Sequence, residues 1–121
     1  VPISSRRCNM SKLPEEFLKH ILDEINYLIS TSQDLEESNF SQDQTLQRAF
    51  VRSLEIIGEA ATNLSLDFKS EHNDIDWKSI TGMRDRLIHG YFGVNYQIVW
   101  DVIQTEIPKL KSKIASLLSG H

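Results

Sequence analysis

Apolar residues return every three or four positions along almost the whole of this 121-residue chain, and no stretch alternates with period two for long enough to make a strand. Phe17, Ile21, Leu22, Ile25, Leu28 and Ile29 form one stripe. Leu46, Ala49, Phe50, Ser53, Ile57, Ala60, Ala61 and Leu64 form a second. A shorter one runs through Trp77, Ile80, Met83, Leu87 and Ile88, and the last through Val99, Trp100, Ile103, Ile107, Leu110, Ile114 and Leu117. Helices with one apolar side each, joined by polar connections, bury those sides against one another. The spacing therefore predicts an all-α, up-and-down four-helix bundle with room for a short extra helix.

Punctuation residues agree with that reading. Pro14 suits a first helical position, where its missing N–H has no partner to lose. Ser41 with Gln44 three residues on has the form of a capping box, and Asp76 is placed to cap the helix beginning at Trp77. The fourth helix is expected after Asn95, with a kink at Pro108. Gly58, Ala60 and Ala61 would let another helix approach the second one closely.

Length and composition narrow the function classes. A chain of this size makes one domain, expected over residues 10–121. Residues 1–9 lack periodicity, precede Met10 and read as a tag remnant or disordered leader. No apolar run is long enough to span a membrane. The lone Cys8 excludes an internal disulfide and suits a reducing, cytoplasmic compartment. A net charge of −4 argues against a strongly basic, non-specific nucleic-acid binder, while leaving room for a local basic cleft. His20, His72 and His121 do not fall at metal-ligand spacings with the carboxylates or Cys8, so no metal and no cofactor are expected.

Chemistry concentrates in one stretch, Arg84-Asp85-Arg86-Leu87-Ile88-His89-Gly90-Tyr91. On a regular helix starting at Trp77, Arg84 falls at roughly 340°, inside the apolar arc, and Arg86 at roughly 180°, on the solvated side. A charge on a buried face needs a carboxylate, a water-filled cleft or an anionic ligand. Glu55 or Glu59 of the second helix, or Asp85 of another chain, could supply the carboxylate, and the wheel leaves these choices open. Gly90 is a natural helix terminator in a left-handed turn, which would let His89 and Tyr91 swing toward the side of Arg84. Taken alone, a histidine before such a glycine is more often a capping or core residue.

Arg84, four residues, His89, one residue and Tyr91 together resemble the signature of HEPN-domain proteins, and the closer resemblance is to their HepT-like branch. Ile57-Gly58-Glu59-Ala60, Trp77 with Gly82-Met83-Arg84, and His89-Gly90-Tyr91-Phe92-Gly93-Val94 carry it. The resemblance implies a metal-independent endoribonuclease toxin acting on RNA as a homodimer with both motifs in a shared cleft. It implies that Arg84 holds the scissile phosphate, that His89 is the general acid–base, and that Asp85 supports them. It also implies a cognate minimal nucleotidyltransferase antitoxin able to AMPylate Tyr91. Two other readings stand beside it. One is a non-catalytic nucleotide- or partner-binding module that docks a nucleotidyltransferase. The other is a structural helical dimer in which Arg84 pairs with a carboxylate.

Overall fold

In the computed structural model, which describes residues 13–120, the periodic segments become helices. In chain order they are α1 (Leu13–Ser32), α2 (Glu37–Phe40), α3 (Gln44–Thr62), α4 (Leu66–Glu71), α5 (Trp77–Thr81), α6 (Met83–Leu87), α7 (Tyr96–Asp101) and α8 (Ile107–Ser119). A 3₁₀ turn at Gly90–Phe92 separates α6 from α7, and a π-helical segment, Val102–Glu106, joins α7 to α8. Four rods result: α1, α3, the α5–α6 pair, and the continuous α7–π–α8 helix. Among the described residues no strand forms; Ile88 and Val94 make one isolated antiparallel bridge. The all-α bundle is as the spacing predicts.

The core sits where the stripes meet. α1 packs on α3 and α8, and α3 packs on α5 and α6. Ile21, Ile25, Leu28, Phe50, Leu54 and Ile57 are fully buried between α1 and α3, and Val99, Ile107 and Ile114 close the other side. Each such side chain contributes about 1.5–3 kcal/mol relative to exposure. The connections add to the core. Phe40 of α2 is buried and stacks on Phe50 with ring centroids 5.3 Å apart. Phe68 of α4 lies 6.2 Å from the Trp77 ring. The indole N–H of Trp77 donates to the His72 carbonyl at 2.9 Å. Gly58 meets the expectation of close approach: a Cβ there would stand 3.0 Å from the Ile80 carbonyl oxygen and 3.4 Å from the Met83 Cβ.

Several local expectations are corrected. Asp43, not Ser41, caps α3, its carboxylate accepting the Leu46 N–H at 3.1 Å. Ser41 instead ends α2 and donates to the Ser38 carbonyl. The polar connections expected after α1 and α3 each fold into a short helix, α2 and α4. Asp76 does cap α5, accepting from both the Ser79 N–H and the Ser79 hydroxyl. These bonds hold its carboxyl below the usual value, the Ser79 hydroxyl most. At Pro108 the helix adapts by widening. The Ile107 N–H bonds back to Val102, five residues earlier, so one extra residue enters the turn just before the proline that brings no N–H of its own. The expected leader at residues 1–9 lies outside the described residues.

Candidate active site

The third rod is not one helix. Gly82 breaks it, ending α5 and starting α6 with φ −87° and ψ 14°. That break resets the helical phase and overturns the wheel for both arginines. Arg84 is 75% exposed, not set in the apolar stripe. Arg86, expected on the solvated side, is the more buried of the two at 31% exposed. It makes a fork-to-fork pair with Glu106, Nη1 to Oε1 at 3.0 Å and Nη2 to Oε2 at 2.6 Å. The Glu106 hydrogen bonds keep Arg86 firmly protonated, raising its pKa against the effect of burial. Met83 and Leu87 of α6 do face the core as expected.

Arg84 has Glu55 as an ionic neighbour, one of the partners the sequence offers. Its Nε lies 3.9 Å from Glu55 Oε2, too long for a hydrogen bond. Glu55, Gly58, Glu59, Thr62 and Thr81 share with Arg84 a small polar concavity between α3 and the third rod. Glu59 is engaged elsewhere, accepting from Arg52 at 3.2 Å. Asp85 follows Arg84 in the first turn of α6 and is exposed.

The chain leaves α6 one residue earlier than the sequence suggests, because Ile88 is already extended (φ −100°, ψ 124°) and bridges to Val94. His89 thus stands outside the helix, in a loop pinned at its neck. The His89 N–H donates to the Gly93 carbonyl at 2.7 Å, and the Asn95 N–H to the Leu87 carbonyl at 2.8 Å. Gly90 has φ +49°, the left-handed turn expected of it, and Gly93 has φ +80° with ψ −150°, a conformation suited to glycine. The His89 side chain is exposed and lines a second shallow concavity with Gly93, Val94, Asn95 and Tyr96. Tyr91, on the 3₁₀ turn, is 97% exposed. Arg84 and His89 therefore sit on consecutive parts of one short segment but line separate concavities of a single chain. Among the described residues no group of three His, Cys, Asp or Glu side chains is placed to hold a metal ion. Among the same residues no helix is long and apolar enough to cross a membrane.

Sequence reasoning missed Glu106. Its only signal is its place just before Ile107-Pro108, where a widened turn can rotate a side chain away from the periodic face.

An α-helical bundle bearing this Arg–His–Tyr segment at a helix break is of the HEPN class. The chain belongs to the ribonuclease HepT-like family, whose family model matches residues 21–117. It is 50% identical over 107 residues to a protein of Caldanaerobacter subterraneus subsp. tengcongensis named "Putative RNase TTE0752", covering 88% of this chain and 96% of that one. It is 37% identical over 108 residues to "Probable ribonuclease HepT" of Thermococcus cleftensis, covering 89% and 98%. A Methanocaldococcus jannaschii protein named "Gamma-glutamylcyclotransferase and putative RNase MJ0434" is 40% identical over 109 residues, covering 90% of this chain but only 49% of that longer protein. No solved structure matches.

Proposed function

We propose that this chain is a ribonuclease, and specifically a metal-independent endoribonuclease toxin of the cytoplasm that uses Arg84 and His89. The observation that carries the reading is the exposure of both side chains on one pinned segment in a chain whose relatives bear ribonuclease names. The neutral imidazole of His89 takes the proton of a ribose 2′-hydroxyl as the 2′-oxygen bonds to phosphorus. The bond from phosphorus to the 5′-oxygen then breaks, and that oxygen receives a proton from an imidazolium. The products are a 2′,3′-cyclic phosphate and a 5′-hydroxyl. Arg84 faces the anionic phosphorane with a rigid fork of donors, and Asp85 helps to orient it. A positioned acid–base is worth ~10²–10⁴-fold, and a donor at developing charge ~10²–10³-fold.

A homodimer suits this geometry, since two motifs facing each other would join concavities that one chain keeps apart. A cognate minimal nucleotidyltransferase antitoxin would control the enzyme through Tyr91. Its phenol oxygen would attack the α-phosphorus of ATP, losing its proton and expelling pyrophosphate. The exposure of the phenol supports that role. An adenylyl group there would place a bulky anion beside the RNA path. The test is cleavage of RNA in chelator by wild type and His89→Ala. Loss of cleavage in the variant supports the reading. Equal activity in the two proteins overturns it in favour of a non-catalytic module that docks a nucleotidyltransferase.

A further inference from the structure

The site depends on α6, and α6 is only five residues long. Such a helix cannot hold itself, because nucleation costs more than so few hydrogen bonds return. Met83 and Leu87 anchor its inner side in the core. What fixes its outer side and its rotation is the Arg86–Glu106 pair, which joins residues 20 positions apart through two parallel bonds of 3.0 and 2.6 Å. A bidentate guanidinium–carboxylate contact restrains orientation as well as distance.

Glu106 reaches Arg86 from the last residue of the π-helical segment. Without the extra residue in that turn, a side chain here would point roughly 100° away. The chain between the two partners forms a ring that leaves α6, passes through His89 and the 3₁₀ turn, enters α7 and returns through the wide turn. The ring is closed at its base by Arg86–Glu106 and braced at its neck by the Asn95 N–H on the Leu87 carbonyl. Arg84 precedes the base by two residues, and His89 lies just beyond the neck.

We infer that Arg86 and Glu106 are positioning residues of the ribonuclease site, clamping α6 to the fourth rod so that Arg84 and His89 keep their productive register. This rests on the ribonuclease reading above. Neither residue touches the reacting atoms; each acts through the segment it holds.

The experiment measures steady-state cleavage of a fluorogenic RNA oligonucleotide and residue-resolved amide hydrogen exchange. It uses wild type, Glu106→Gln, Glu106→Asp and the exchanged pair Arg86→Glu with Glu106→Arg, with His89→Ala as reference. Glu106→Gln is expected to lower kcat toward the ~10²-fold that a misplacement of about 1 Å can cost, with KM little changed. Its His89 and Asn95 amides should exchange faster while those of Ile21 and Ile57 keep their protection. Glu106→Asp, shorter by one methylene, should fall between, and the exchanged pair should recover most of kcat. Wild-type kcat in Glu106→Gln, a loss confined to KM, or unchanged exchange at His89 and Asn95 overturns the clamp. An exchanged pair as slow as Glu106→Gln also overturns it. If His89→Ala cleaves as fast as wild type, the ribonuclease reading falls instead. The exchange data then still decide whether the pair holds the loop.

Discussion

Arg84 and Glu55 stand 3.9 Å apart, a contact between a three-quarters exposed cation and a carboxylate that is only 24% exposed. An ion pair this long and this wet is worth at most ~1 kcal/mol. It holds the guanidinium near α3 without saturating it, so on the ribonuclease reading an incoming phosphate would compete with Glu55 at little cost. Glu55→Gln should therefore bind RNA about two- to five-fold more tightly, as read by fluorescence anisotropy at fixed salt. Arg84→Ala should weaken binding to every sequence alike. It should also flatten the slope of log affinity on log salt by about 0.7, the value of one phosphate contact on a single strand.

His89→Ala should reduce cleavage by ~10²–10⁴-fold. Its side chain is exposed and its fold-bearing bond is the backbone N–H to Gly93, which alanine keeps. Thermal unfolding should stay at the wild-type temperature. A drop in that temperature matching the loss of activity would show that the imidazole supports the fold.

Gly93→Ala tests the loop. No atom crowds a Cβ at Gly93, so the penalty comes from the backbone, where φ +80° with ψ −150° costs a non-glycine residue ~1–3 kcal/mol. The cost falls on the segment that seats His89, and cleavage should decline more than global stability. At Gly90, with φ +49°, asparagine should be tolerated better than alanine, because its side chain can support the left-handed turn locally. Comparing kcat with the denaturation midpoint for the three variants checks this order.

Gly58→Ala sets two terms against each other. Alanine gains ~1 kcal/mol of helix propensity in α3. Its Cβ would press at 3.0 Å on the Ile80 carbonyl, backbone of a helix whose Trp77 and Ile80 are buried, and such overpacking costs ~1–3 kcal/mol. The net outcome should be a loss of stability in denaturant titration, with the third rod displaced outward.

Asp76 should give stability a dependence on acid. Its folded-state pKa lies below the ordinary 3.8, chiefly through the Ser79 hydroxyl and then the Ser79 N–H. The unfolded chain therefore takes up the proton more readily. The carboxylate's stabilising effect is complete above the ordinary value and is lost as pH falls through the depressed one. Asp76→Asn should unfold at a lower temperature than wild type near neutrality, and the two curves should converge in strong acid.

Much of this architecture was legible because burial imposes period 3.6. Ile21, Ile57 and Ile114 announce buried faces by spacing alone, and Asp76 and Asn95 announce helix starts by side-chain chemistry. What was hidden depends on helical phase. A single glycine inside a periodic run is tolerated in many helices, so Gly82 gave no sign that it would divide the third rod. With the phase reset there, the burial expected of Arg84 and the exposure expected of Arg86 exchange places. The motif was readable as a set of residues, but its geometry was not. Glu106 was invisible for the same kind of reason, because a wide turn before Pro108 moves it off the regular wheel.

The brevity of Met83–Leu87 has a consequence for how the protein would fail. A helix of under two turns exists only while its neighbours hold it, so warming should dissolve it before the long helices. The long helices would remain, along with most of the buried core. Such a molecule would look native to a spectrometer and yet be silent toward substrate, with a temperature optimum set by five residues rather than by the whole chain.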